Sequence, residues 1–62
     1  MVYLVDVFCG NDRITSIFVP ADNENVLQSN CWNILRKNNI VDTSVLQTDI
    51  SVSVLRQYAG EL

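Results

Sequence analysis

Histidine is missing from this chain altogether, and cations, glycine and proline are scarce. Without histidine the commonest general base near neutral pH is unavailable, and a frequent metal ligand goes with it. The two cysteines, Cys9 and Cys31, stand too far apart in sequence for any zinc-ligand spacing. The acidic residues Asp6, Asp12, Asp22, Asp42 and Asp49 are scattered singly, so no carboxylate cluster suggests a hard cation. Neither a metal nor a cofactor is expected. Ser44, Ser51 and Ser53 have no base near them in sequence, and Gly10 is a lone turn glycine rather than part of a phosphate loop. A catalytic pair formed by Asp42 and Asp49 is outweighed by their reading as solvated surface. The expectation is a protein that binds and does not catalyse.

Basic residues are few. Arg13, Arg36, Lys37 and Arg56 stand against seven acids, for a net charge of −3. Nucleic-acid affinity comes largely from neutralised phosphates, so four dispersed cations in an acidic chain argue against that partner. No apolar run approaches the roughly 18 residues of a membrane span. Met1 leads straight into Val2 through Asp6 without a basic region or an apolar stretch of leader length. A cytoplasmic location is therefore expected. In such a reducing compartment the cysteines read as free buried thiols in preference to a Cys9–Cys31 bridge.

What is present is a compact pattern in 62 residues, enough for one domain spanning 1–62. A chain this short buries only about 60% of the surface its unfolded form exposes, so a partner chain is a natural supplement to its core. Residues Val2 to Cys9 read as a strand that is apolar on both faces, as a strand buried on two sides is. Gly10 and Asn11 suit a tight hairpin turn, and Ile14 to Val19 reads as a second, antiparallel strand that Pro20 ends or places at an edge. Asp22 or Asn23 can cap a helix running to about Lys37, with Glu24 in its first turn. Asn38 and Asn39 suit its stop. Leu27, Cys31, Ile34 and Leu35, flanked by Val26, form the apolar stripe. Asn23, Asn25, Asn30 and Asn33 give this helix weak intrinsic propensity, so packing must hold it.

Residues 40–47 fit a loop, a short strand or a helical turn. Ile50, Val52 and Val54 alternate with Ser51 and Ser53, which predicts a strand from Ile50 to about Gln57. Val54, Leu55, Tyr58, Ala59 and Leu62 also fit a short helix, so the strand could hand over to one. The expected fold is α+β with order ββαβ: a three-stranded antiparallel sheet, spatial order 2-1-3, and one helix on one face.

One helix leaves the other sheet face bare. That face carries either Val2, Leu4 and Phe8 or Tyr3, Val5 and Val7, an apolar patch that soluble monomers seldom leave exposed. Val2, Leu4 and Phe8 are the expected interface of a homodimer, formed by sheet-on-sheet packing or by edge pairing of the second or third strand. A fold-back of the C-terminal segment over the face is the alternative. Trp32 lies off the apolar stripe, with Gln28 four residues before it and Arg36 four after, a candidate patch for a partner protein. The alternative reading of Trp32 is a lid on the edge of the core. Arg56 and Tyr58 form a second candidate pair.

In size and layout the pattern resembles many small proteins of phages and mobile elements, a fold-level analogy. It implies an accessory protein that binds a host or phage protein, for example an inhibitor of a bacterial defence complex. A dimeric nucleic-acid module with paired strands in a groove is a second expectation, and requires Arg13 and Arg56 to converge on one side. A structural subunit of a larger assembly is a third.

Overall fold

The computed structural model describes residues 1–59, and the last position of the helix reading, Leu62, lies outside them. Strand β1 spans Val2–Cys9 and β2 spans Asp12–Pro20, joined by a turn at Gly10 and Asn11. Gly10 has a φ of +63°, a conformation in which a Cβ is strained, so glycine is the residue the turn asks for. Strand β3 spans Ile50–Tyr58 and continues as a strand where a C-terminal helix was the alternative. The three strands form one antiparallel sheet in the order β2-β1-β3, with the doubly apolar strand in the middle.

Helix α1 spans Leu27–Lys37 and is preceded by a single 3-10 turn at Glu24–Val26. Asn23 is the cap: its Oδ1 accepts the Asn25 N–H at 2.9 Å. The tighter first turn accords with the poor helix formers gathered there, since 3-10 geometry is common at helix ends. Asn39, with a φ of 56°, takes the left-handed position that ends α1. Two side chains then tie the helix to both margins of the sheet. Asn30 Nδ2 donates to the Pro20 carbonyl at the end of β2 (2.9 Å), and Gln28 Nε2 donates to the Ile50 carbonyl at the start of β3 (2.7 Å). These bonds orient a helix whose own propensity is weak.

The core lies between α1 and one face of the sheet. It is built from Tyr3, Val5 and Val7 of β1, Val19, Ala21, Leu27, Cys31 and Leu35, and Ile50. Of the expected helical stripe, Leu27, Cys31 and Leu35 are buried, Ile34 is half-buried, and Val26 is exposed within the 3-10 turn. Residues 40–46 form an irregular connection closed by a Val45 N–H to Asp42 carbonyl bond (3.0 Å), followed by a 3-10 turn at Gln47–Asp49. Val41 and Val45 pack against the core from this segment. Cys31 is buried and Cys9 half-buried, and both are free thiols.

Candidate protein-binding surfaces

Because side chains alternate along a strand, the burial of Tyr3, Val5 and Val7 under α1 sends Val2, Leu4, Asp6 and Phe8 to the opposite face. That open face is therefore the one carrying the expected dimer residues Val2, Leu4 and Phe8, and all three are half-buried. The register explains what shields them. Phe18 of β2 stands opposite Leu4, and Tyr58 of β3 stands opposite Val2. The two rings lean toward each other from the flanking strands, their centroids 6.1 Å apart and tilted by 50°. This tilted contact falls within the favourable range for aromatic pairs. It partly roofs Val2 and Leu4, yet Phe18 itself remains 52% exposed.

Arg56 also pairs with Leu4, so Arg56 and Tyr58 lie on the open face beside the residues expected at the dimer interface. The two surfaces read separately from the sequence are one surface. Toward the middle of the sheet the open face turns polar. The Ser16 hydroxyl bonds Asp6 Oδ1, and Arg13 Nη1 reaches Ser16 Oγ at 3.1 Å and Asp6 Oδ1 at 3.5 Å. Arg13 thus spends its charge locally, whereas Arg56 has no ion pair among the described residues.

Trp32 and Arg36 lie on the far side of the molecule, along α1. The Arg36 guanidinium carbon sits 5.6 Å from the Trp32 ring centroid, a cation–π contact that holds both side chains in place. Trp32 is half-buried and packs against the core, so its edge-lid role and its exposure coexist. Gln28 continues this ridge, but its amide is engaged by the Ile50 carbonyl and, at 3.4 Å, the Gln47 carbonyl. The helix ridge and the open sheet face do not meet.

Phe18 is the residue that reading the sequence missed. It belongs to the alternation Ile14, Ser16, Phe18, opposite Thr15, Ile17 and Val19, and once Val19 is known to be buried Phe18 must point out. Among the described residues no group of three or more histidine, cysteine or acidic side chains converges on a metal-sized site. No helix among them is long and apolar enough to cross a membrane. A shallow cleft lined by Met1, Pro20, Ala21, Asp22, Val26 and Asn30 opens between the end of β2 and the start of α1, with Asp22 its one charged side chain. Comparison with protein-family models, with curated proteins and with solved structures finds no match for this chain.

Proposed function

We propose that this chain is a non-enzymatic protein-binding protein that works as a homodimer and offers its open sheet face to a partner protein. The observation behind this reading is the Phe18–Tyr58 pair over Val2 and Leu4, with Arg56 beside it. Aromatic rings and arginine are the side chains most often found at the energetic centre of protein interfaces. Phe18 is half-exposed at a cost that a partner's apolar side chain would remove. Arg56 calls for a carboxylate on that partner, so the fitting surface is an apolar anchor with an acidic neighbour. The Trp32–Arg36 ridge provides a second, smaller contact on the other side.

The free thiols accord with a reducing compartment such as the cytoplasm. An inhibitor from a phage or mobile element acting on a host defence complex is the concrete version of this reading, and it rests on size and layout. Capture from a bacterial lysate tests it, comparing the native chain with a folded Phe18→Ser/Tyr58→Ser variant and a Trp32→Ala variant. A protein retained by the native chain and lost with the double variant, then reproduced with both components purified, is the expected result. Equal profiles for the native chain and the double variant would remove the open face as the binding surface.

A second reading has one observation in its favour: Arg13 and Arg56 both fall on the open face. A small dimeric nucleic-acid module needs that convergence. Asp6 offsets Arg13, which weakens the patch. Titration with duplex DNA at rising salt separates the readings: steeply salt-dependent binding supports the module, and no binding at low salt eliminates it.

A further inference from the structure

The two outer edges of the sheet differ in a way that points to the second copy. The phase of each ladder follows from a bond just beyond its end. The Ala21 N–H donates to the Met1 carbonyl at 3.0 Å, in register with the β1–β2 pairing. Residues of β1 and β2 that exchange backbone bonds are therefore Tyr3 with Val19, Val5 with Ile17 and Val7 with Thr15. The outward backbone groups of β2 then belong to Ser16, Phe18 and Pro20, and Pro20 has no N–H to offer. With charged Asp12 and Arg13 and a bulge at Ile14, this edge is blunted against further pairing.

On the other side, the Gly10 N–H donates to the Asp49 carbonyl at 3.3 Å, in register with the β1–β3 pairing. Phe8 with Ser51 and Asp6 with Ser53 are then the bonded pairs, so the backbone groups of Ile50, Val52 and Val54 point outward. Ile50 is closed on both counts: its N–H bonds the Gln47 carbonyl, and its carbonyl accepts from Gln28 Nε2. A bulge at Leu55 interrupts the ladder at the other end. Between these stops lie Val52 and Val54, whose outward groups bond nothing among the described residues. The segment Ile50–Leu55 has no charge, proline or glycine, and Ser53, Val54 and Leu55 are exposed. An open, uncharged, β-branched edge is a template for another strand.

We infer that this edge pairs with β3 of a second copy, antiparallel about a two-fold axis through Ser53, joining two sheets into one. This rests on the homodimer part of the proposed reading and names its geometry. The axis sets Val52 opposite Val54 of the mate, and each outward N–H finds an outward carbonyl, so both open positions are used and none is left over. It also lays the Arg56 end of each strand beside the Asp49 end of the other, whereas parallel pairing would set like charges together. The open faces of both copies come out on one side, doubling the proposed binding surface.

Cross-linking tests the axis. Ser53 meets its own mate in a non-bonded pair, with Cα atoms about 4.5 Å apart and within disulfide reach. Ser51 is displaced from its mate by four residues, roughly 13 Å. With oxidised glutathione, Ser53→Cys is expected to form a 53–53 disulfide dimer, identified by mass spectrometry, at least ten times faster than Ser51→Cys forms its counterpart. The native chain is expected to sediment as a dimer, and Val54→Pro, which removes an outward N–H, as a folded monomer by circular dichroism. If Val54→Pro unfolds, the Ser53 and Ser51 comparison still decides. A native chain that stays monomeric at every concentration, or equal cross-linking at both positions, overturns the inference. Phe18→Ser/Tyr58→Ser introduced into the Ser53→Cys chain is expected to form the 53–53 disulfide normally while losing its captured partner, so failure of the edge and failure of the face are read separately.

Discussion

The two faces of β1 carry similar side chains and meet different fates. Tyr3, Val5 and Val7 are almost fully buried beneath α1, while Val2, Leu4 and Phe8, on the same strand, are half-covered by their own sheet neighbours. The difference is one of partners rather than of hydrophobicity. A helix contributes close-packed atoms over a strand, and two tilted aromatic rings contribute a partial roof. The lesson is that an apolar residue on a central strand reports where a cover is needed, and says little about whether the chain itself provides it.

Substitutions on the two faces should therefore separate sharply. Leu35→Ala, on the buried side of α1, is expected to cost about 2–5 kcal/mol, a large fraction of a small domain's stability. Urea unfolding should show a chain at or near its midpoint without denaturant, and a loss below about 1 kcal/mol would mean that α1 packs loosely. Phe18→Ser, on the open face, should cost about 1 kcal/mol or less, since the ring is already half in water. A loss as large as that of Leu35→Ala would show that the face is closed in solution.

The helix side also carries a pH dependence. Burial pushes the Cys31 thiol above its ordinary value, because the thiolate would lack water there. The unfolded chain thus loses this proton first. Stability is full below the ordinary thiol pKa of about 8.5 and declines as pH rises past it toward the raised folded value. The urea midpoint should fall between about pH 8 and 10, and fall less in Cys31→Ala. Equal slopes would place Cys31 in contact with solvent. Smallest of all is Arg13→Ala, where an exposed ion pair at 3.5 Å should be worth a few tenths of a kcal/mol.

Much of this was legible in advance because it depends on neighbours in sequence. Alternation marks β3, Gly10 and Asn11 mark the hairpin, Asp22 or Asn23 the cap and the Asn38–Asn39 pair the stop, and the structure uses Asn23 and Asn39. The site was less legible. Trp32 and Arg36 are neighbours on one helix and lie in contact, whereas the amide of Gln28, one turn earlier, serves the start of β3. Phe18 and Tyr58 lie on different strands, and only the register across β1 makes them one feature.

By itself the sequence indicated the β1–β2 hairpin, the helix and the third strand, since local patterning and turn chemistry decide these within a few residues, and the two apolar faces of β1 pointed to its central place. The tertiary structure decided which face of β1 the helix takes, which side chains gather on the other, and which edge of the sheet stays open. Those outcomes follow from register and from the two bonds by which Gln28 and Asn30 anchor the helix. Both are long-range pairings, and no periodicity in a single strand or helix encodes them.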